Sequence, residues 1–503
     1  MVVTNILEKE DFKMGKGART RIGSAEKFKE RREQVQLEIK KQKKNKLVTS
    51  IVAIVLAVVI VASALTYVFY YQNGEYLRKS VAAETTNYKV DNALMLYFFN
   101  QNFNSVYNYY GEYFELMTGV DLGVSLKAQY IDEKTTWFDY ILENAKSSVN
   151  GMLLLAEAAN TVGFELTAEQ KMMLDARAQA LDTSGFSGKL NKDDYGRALE
   201  FTALTSMYQE LLLDAYVYDD SELLAEYEAN SKNYDMVDYR RFAISYSEKE
   251  DSELPSKAEA EKLADELAAV KSEEEYLLKV AEIIKLSDAD ITEEDLQTTL
   301  DNTLYEDQLY EEGTALGDWL FNDERKVLDT HIYTSENVNA YAVTLLTETR
   351  CKDEAKTINS RHILFATDTY GSEEAALAKA EEILAQWESG EKTAASFGKL
   401  AFQYTDDMGS LYTYGLYENT YKDSFVAEYD AWIFDESREV GDTAIVKTDY
   451  GYHIIYFEGE GLTGWKVQVL DSLLSEYLES QITLYAQAFS VTFYDAVLRD
   501  LPV

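Results

Sequence analysis

Two histidines are the first candidates for chemistry, because the chain of 503 residues contains only three. His362 stands in the sequence Ser-Arg-His-Ile-Leu, and His453 stands about ninety residues later in Tyr-Gly-Tyr-His-Ile-Ile. Both stretches suit β-strands, in which every second side chain points to the same face. One such face carries Ile358, Ser360 and His362, and His453 shares another with Ile455 and Phe457. Imidazoles are the side chains that exchange protons and hydrogen bonds near neutral pH.

A carboxylate, that of Asp407, stands between the two histidines in the sequence. It follows a predicted helix whose apolar stripe is formed by Phe397, Leu400, Ala401 and Tyr404. The single cysteine, Cys351, can form neither an internal disulfide nor a cysteine metal site, and three histidines do not favour a dedicated zinc site. The candidate chemistry is therefore that of the imidazoles.

The elements that position these residues belong to a unit of about 100 residues that occurs twice. Each copy opens with a strand (residues 237–245 and 358–366) and continues with an alanine-rich amphipathic helix (258–270 and 373–387). Each then carries a Trp, a nearby Phe, acidic residues and Val-x-Asp-Thr before another strand (317–334 and 429–448). Three blocks in the same order indicate an internal duplication.

The second copy, residues 357–458, resembles the parvulin-type peptidyl-prolyl isomerase domain of PrsA- and SurA-like foldases. The residues that carry the resemblance are the segments 360–364, 397–401, 404–407, 429–434 and 448–455. The resemblance implies that the two histidine strands are neighbours and that His362, Asp407, His453 and Thr448 form the catalytic network. In this family the position of Asp407 holds either Asp or Cys. The substrate-binding residues that the resemblance implies are Leu416, Phe425, Tyr429 and Phe434.

One loop departs from the family's pattern. The family's Gly-Gly-x-Leu-Gly appears here as Tyr-Gly-Leu-Tyr at residues 414–417, with a shift of one residue before Phe425. The rim of the substrate site therefore differs from the family's.

The implied reaction is rotation about an X–Pro bond. It is slow because the planar amide resists twisting, with a barrier of about 18–20 kcal/mol. A dry pocket for the proline ring and polar groups that favour the twisted amide lower this barrier. No bond to carbon is made or broken, so no cofactor is expected.

The first copy lacks these groups. Opposite His362 lies Arg241 or Phe242, and opposite His453 lies Tyr341 or Ala342, depending on the register. The third histidine, His331, aligns with Ala444 of the second copy. We therefore interpret the first copy as a degenerate, non-catalytic parvulin-like domain.

Residues 88–217 show the 3.6-residue apolar period of helices. They resemble the chaperone part of PrsA- and SurA-type foldases at residues 158–167 and 220–230. In that family a C-terminal segment returns to the helical domain, and residues 473–484 and 485–498 are the candidates for this return.

Residues 47–71, from Leu47 to Tyr71, contain no charged side chain and are long enough to cross a bilayer as a helix. Five lysines between residues 40 and 46 precede this segment, and the basic side stays in the cytoplasm. The alternative is a cleaved signal peptide with Ala62-Ser63-Ala64 as its site, but the apolar run continues past that site.

Charge is divided between the two sides of this segment. The first 46 residues contain 14 Lys and Arg against 7 Asp and Glu, and the remainder contains 34 basic against 82 acidic residues. A surface so acidic repels nucleic acid, and we exclude DNA and RNA as partners.

We therefore predict an α+β protein of six segments. They are a basic cytoplasmic tail (1–46), a transmembrane anchor (47–71), a helical chaperone-like domain (72–235), a degenerate parvulin-like domain (236–350), a parvulin-type isomerase domain (356–460) and a C-terminal helical segment that packs on the helical domain (461–503). The expected function is isomerisation of X–Pro bonds in unfolded or partly folded secreted polypeptides, outside the cytoplasm. The alternatives are a non-catalytic membrane-anchored holdase and a cell-surface spacer or adhesion protein.

The position of the lysines predicts the topology. Protease added to intact cells should digest the chain after Tyr71 and spare residues 1–46, as measured with antibodies against each end. Recovery of a soluble product that starts near Thr66 would establish signal cleavage instead.

Overall fold

The computed structural model describes residues 21–181, 189–249, 254–335 and 338–503. The predicted α+β class is confirmed, with one N-terminal apolar helix, a helical body and two sheet-containing units. The first 20 residues of the predicted basic tail lie outside the described residues.

Eighteen α-helices are present in the described ranges. They are α1 (Arg21–Tyr67), α2 (Glu75–Lys79), α3 (Asn92–Tyr110), α4 (Phe114–Thr118), α5 (Trp137–Val162), α6 (Ala168–Ala180), α7 (Lys192–Asp214), α8 (Asp220–Asn230), α9 (Lys257–Ala268), α10 (Glu273–Ser287), α11 (Glu293–Asp301), α12 (Ala315–Leu320), α13 (Thr367–Tyr370), α14 (Glu373–Glu388), α15 (Ala394–Tyr404), α16 (Ala427–Ile433), α17 (Gly464–Ala488) and α18 (Asp495–Leu498).

The same ranges contain eleven strands. They are β1 (Val81–Glu84), β2 (Lys89–Asp91), β3 (Asp235–Ser245), β4 (Leu304–Leu309), β5 (Thr330–Ser335), β6 (Ala340–Lys352), β7 (Lys356–Ala366), β8 (Leu416–Thr420), β9 (Thr443–Thr448), β10 (Gly451–Thr463) and β11 (Thr492–Phe493).

Helix starts follow from local sequence. Thr136, Thr167 and Thr393 cap α5, α6 and α15, and each forms a reciprocal capping box with the residue three positions later. Such a box satisfies two backbone N–H groups that otherwise have no partner in the first turn.

The apolar segment is one long helix with a π-helical turn at its end. The window Thr49–Gln72 has 24 residues, a mean hydropathy of 2.8 and no buried part. By length and composition this helix is able to cross a membrane.

The helical body is formed chiefly by α2–α7, and the C-terminal segment returns to it as predicted. Leu498 and Leu501 are fully buried in the same core as α3 and α5. Trp465 at the start of α17 packs with Leu223 and Tyr234. The helical pattern did not indicate the small sheet of this body, in which β11 pairs with β1 and β1 pairs with β2.

The two sheet units have the same topology. The first sheet runs in the order β4-β3-β6-β5 and the second in the order β8-β7-β10-β9, and all neighbours are antiparallel. In each unit two helices, α9 and α10 or α14 and α15, cover one sheet face. A short helix, α12 or α16, packs on the opposite face.

Matching backbone bonds fix the alignment of the two units. Leu328 and Gly441 both have positive φ, at 74° and 97°, and donate to the carbonyls of Leu346 and Phe457. Leu346 and Phe457 return bonds to the carbonyls of Asp329 and Asp442. Leu346 therefore corresponds to Phe457.

This alignment decides between the alternatives left open by the sequence. In the second unit Ala444, Ile455 and His362 form one row across the sheet. In the first unit the corresponding row is His331, Thr344 and Arg241. Arg241 therefore takes the place of His362, and by the same register Ala342 takes the place of His453.

Candidate functional site

The two histidines meet on the face of the second sheet that carries α16. β7 and β10 are antiparallel neighbours, with His362 opposite Ile455 and His453 opposite Leu364. The two rings are therefore diagonal neighbours, a separation that aromatic side chains can bridge. His362 Nδ1 lies 3.1 Å from His453 Nδ1, and both residues are buried.

Asp407 is held by the loop between α15 and β8. Its Oδ2 lies 2.8 Å from His362 Nε2 and accepts hydrogen bonds from the hydroxyls of Ser410, at 2.5 Å, and Tyr417, at 2.9 Å. Its Oδ1 accepts the backbone N–H of Gly409 at 3.0 Å. The structure thus brings the predicted carboxylate and histidines together.

Thr448 completes the row of polar groups, with its Oγ1 2.9 Å from His453 Nε2. One set of tautomers satisfies every contact: Thr448 donates to His453 Nε2, His453 Nδ1–H donates to His362 Nδ1, and His362 Nε2–H donates to Asp407. For two neutral imidazoles this assignment follows from the hydrogen-bond network.

The local environment fixes the charges of two members of this network. Burial and then the neighbouring His362 lower the pKa of His453 to about 3. Burial works to raise the pKa of Asp407, but hydrogen bonds from His362, Ser410 and Tyr417 outweigh it and hold that pKa well below its usual range. At neutral pH the site therefore contains an ionised carboxylate and an uncharged His453.

An apolar wall stands beside the network. Tyr429 is buried, its ring packs edge-on to both histidines, and its hydroxyl lies 3.0 Å from Ser360 Oγ. Phe425 packs on Tyr429 with ring centroids 4.7 Å apart, and Phe434 belongs to the same apolar cluster. The structure thus brings Phe425, Tyr429 and Phe434 into one apolar cluster beside the histidines.

Leu416 is not brought to this wall. It lies opposite Arg361 in the register, on the sheet face that α14 and α15 cover. The next residue, Tyr417, lies opposite Ser360 on the histidine face. Tyr417, and not the predicted Leu416, therefore faces the histidines, because a shift of one residue along a strand moves a side chain to the opposite face of the sheet.

Ser410 and Tyr417 are members of the network that the sequence analysis missed. Both reach Asp407 through turn and loop geometry, which strand or helix periodicity does not describe. The spacing Asp-x-x-Ser from 407 to 410 was the available signal, since short polar side chains often bond to one another within a turn.

Gly415 allows the Asp407 loop to approach β7. Its φ is +79°, and a Cβ at this position would lie 2.5 Å from the carbonyl oxygen of His362. Its own carbonyl accepts the backbone N–H of His362 at 2.9 Å. The loop and the histidine strand are thus joined at the residue that carries the chemistry.

The helical body holds the other side of this loop. Arg177 of α6 donates to the carbonyl of Thr405 at 2.6 Å and to that of Phe402 at 3.3 Å. Phe402 and Leu411 are buried in the core of the helical body. The Thr405 hydroxyl in turn accepts the backbone N–H of Asp407 at 3.1 Å. The loop is therefore fixed between two domains.

The arrangement has no free nucleophile. Each nitrogen of both imidazoles is within hydrogen-bond distance of a partner, and Asp407 accepts bonds at both oxygens. A saturated network of this kind is rigid and suits binding and electrostatic stabilisation, because it needs no reorganisation when a substrate arrives.

The tautomers and charge of the histidines are testable by nuclear magnetic resonance on the full chain with 15N-labelled histidine. We expect His453 to be protonated on Nδ1, His362 on Nε2, and His453 to remain neutral between pH 5 and pH 8. A His453 that titrates near 6.5 would contradict the assignment.

The same low pKa links stability to pH. The unfolded chain binds a proton at His453 below about pH 6.5, whereas the folded chain does so only near the pKa of about 3. Stability is therefore lost as the pH falls from about 6.5 towards 3, and the contribution of His453 at pH 5 is about 2 kcal/mol smaller than at pH 7. This contribution is measured as the unfolding free energy of the original chain minus that of His453→Phe, determined at pH 5 and at pH 7.

The contact from the helical body is tested by Arg177→Ala, with Lys171→Ala on the same helix as the matched control. Loss of charged hydrogen bonds to two carbonyls should destabilise the loop by about 1.5–3 kcal/mol. We expect faster proteolysis within residues 405–415 and displaced 15N signals of His362, while His331 stays unchanged. Equal signals of His362 in both variants would show that Arg177 does not position the loop.

Comparison with known proteins agrees with this geometry. Residues 343–460 match the family model of the PPIC-type PPIASE domain. A search of curated proteins finds no match.

Solved structures similar to this chain include peptidylprolyl isomerase PrsA from Bacillus anthracis, with 14% identity, a TM-score of 0.18 and coverage of 56% of this chain and 93% of that chain. PrsA from Bacillus cereus has 18% identity, a TM-score of 0.19 and coverage of 64% and 89%. A structure of the SurA-like chaperones PEB4 and Cj1289 of Campylobacter jejuni has 14% identity, a TM-score of 0.13 and coverage of 81% and 96%. The matched residues 343–460 contain both histidines, Asp407 and Thr448, so the site lies in the part of the chain that resembles the PPIC-type PPIASE domain.

Proposed function

We propose that this chain is a membrane-anchored folding factor that catalyses cis–trans isomerisation of X–Pro bonds in secreted or cell-surface polypeptides. The observation that carries the proposal is the closed network of His362, His453, Asp407 and Thr448 beside an apolar wall. It lies within the domain that matches the isomerase family.

The network suits this reaction because rotation about the X–Pro bond requires no covalent step. The barrier of about 18–20 kcal/mol arises from amide resonance. A catalyst lowers it by binding the twisted amide more tightly than the planar one. Fixed hydroxyl and imidazole groups in a dry site supply such binding at little reorganisation cost.

The apolar wall gives the proline ring a place to bind. Phe425 is partly exposed and stacks between Tyr417 and the buried Tyr429. Burial of apolar area on such a ring contributes about 25 cal/mol per Å². We assign Phe425, Tyr429 and Phe434 to ring binding and the histidine network to the amide.

The apolar helix supports a location at the membrane. The five lysines between residues 40 and 46 lie on α1 immediately before the apolar window and have exposed side chains. The positive-inside rule places that end in the cytoplasm and the sheet units outside. The acidic outer part then meets partly folded polypeptides as they leave the membrane.

A second candidate function is that of a holdase, and a specific surface favours it. Several large apolar side chains of the helical body between residues 107 and 131 are exposed, among them Tyr109 at 83%, Leu116 at 79% and Met117 at 66%. Exposed apolar patches on a soluble domain commonly mark sites for other polypeptides. Binding at this surface requires no isomerase activity.

The isomerase proposal is tested by His453→Ala in the full chain. We expect the rate with proline peptides to fall about ten- to a thousand-fold, which corresponds to about 1.4–4 kcal/mol of transition-state stabilisation. Asp407→Cys should keep more activity than Asp407→Ala, because the family uses either residue. Truncation of Phe425 should raise KM.

The matched control is Glu381→Ala, which removes a carboxylate from the exposed side of α14, on the other sheet face. It should leave the rate unchanged. A folded chain that is inert toward several X–Pro peptides, yet suppresses aggregation of a denatured protein, would refute catalysis and favour the holdase.

A further inference from the structure

The first sheet unit presents a polar row where the second unit has its histidine network. Arg241, Thr344 and His331 lie side by side on β3, β6 and β5, on the face away from α9 and α10. Tyr239 lies on the same face, one row along β3. Arg241 stands at the position that corresponds to His362.

The polar groups of this face lack partners. Thr344 is 1% exposed, and its hydroxyl has no hydrogen-bond partner. Within the described ranges, the side chains of Arg241, His331 and Tyr239 have no hydrogen bond or ion pair with another residue, and Arg241 and His331 are half-buried. This is unusual for an arginine in a protein with 89 acidic and 48 basic residues.

The second unit provides the contrast. There the groups on the matching face bond to one another, from Thr448 through both histidines to Asp407, and from Ser360 to Tyr429. The first unit keeps the fold but leaves several donors open. The Thr344 hydroxyl is buried without a partner, which costs about 1–3 kcal/mol, so such a group normally meets a ligand or water.

The kind of ligand follows from the open groups. Arg241 is always charged and can only donate, while the hydroxyls of Thr344 and Tyr239 are able to donate. A ligand that only accepts and carries negative charge satisfies them together. A carboxylate does so, since its two oxygens match the planar fork of arginine.

Small residues and aromatic rings shape the space around this row. Ala342 replaces the bulk of His453, and the neighbouring Ala243 is exposed, so the row opens to solvent at that end. Trp319 stacks on His331 with ring centroids 5.1 Å apart, and Tyr239 stacks on Tyr305 at 4.9 Å. These rings form walls against which the remainder of a peptide can pack.

We propose that this face of the first unit binds a carboxylate of an extended polypeptide, with Arg241 as the charged anchor and Thr344, His331 and Tyr239 as hydrogen-bonding partners. The carboxylate is that of an acidic side chain or of a chain end. The choice of a polypeptide as the ligand rests on the proposed function, whereas the carboxylate site does not. The first unit would then hold acidic segments of a client while the second acts on its prolines.

His331 provides the readout, because the full chain has only three histidines and their 15N signals are separable. The probes are the proline-free peptides Ala-Ala-Glu-Ala and Ala-Ala-Gln-Ala, acetylated and amidated, and Ala-Ala-Gln-Ala with a free C-terminus. We expect the glutamate peptide to shift the signals of His331. The amidated glutamine peptide should bind at least about tenfold more weakly. The free C-terminus separates the two sources of the carboxylate.

Three variants complete the test. Arg241→Gln should weaken binding of the glutamate peptide at least about tenfold, and Arg241→Lys should lose less, because it keeps the charge without the fork. Lys271→Gln, an equal change of charge at an exposed position of the same unit, should bind as the original chain does. Unchanged thermal unfolding, measured by circular dichroism, reports that each variant is folded.

Any of three results would overturn the proposal. The first is equal binding of the glutamate and amidated glutamine peptides, and the second is that Arg241→Gln binds the glutamate peptide as well as the original chain does. The third result is that His331 shows no shift at about 20 mM peptide. An inactive isomerase site would leave the titration of His331 unaffected. Failure of this site would likewise leave isomerisation of short proline peptides intact, so the two proposals stand or fall separately.

Discussion

The carboxylate of Asp407 is the interaction on which the site depends. It accepts hydrogen bonds from His362 on β7, Ser410 in the loop and Tyr417 on β8, and thereby joins three separate pieces of chain. Because it is ionised, it fixes the tautomer of His362, and through that ring it fixes the tautomer of His453. The order of the whole network therefore follows from the placement of one loop, which α6 of the helical body also holds through Arg177.

The two sheet units show how one fold carries two kinds of polar surface. Their strands share the same order, and left-handed residues at 328 and 441 occupy equivalent turns. What differs is the set of side chains on one face: a row that satisfies itself in the second unit and a row of open donors in the first. The two units keep the same backbone pairing and bury apolar residues under two helices on one face, while the polar residues of the opposite face differ.

The periodicity of the strands predicted the pairing of the histidines, because a two-residue repeat determines which side chains share a face. The duplication predicted two similar sheets. The sequence alone did not choose between Arg241 and Phe242, since a register shift of one residue exchanges the two faces and only the hydrogen bonds of the sheet resolve it. Ser410, Tyr417 and Leu416 were missed or misplaced for a related reason: their directions are set by a loop, where no period applies. The pairing of β11 with β1 depends on contacts between opposite ends of the chain, which local patterns do not report.

That last pairing affects the order in which the parts of the chain fold. β1 lies before both sheet units, yet its partner β11 and the buried Leu498 and Leu501 follow both of them in the sequence. Each sheet unit, by contrast, is continuous in sequence and can close as soon as its own strands have emerged. Contacts between distant residues form slowly because a long loop must close first. The helical body is thus completed last, after both sheet units are available, and a chain interrupted before β11 would leave the core of that body incomplete.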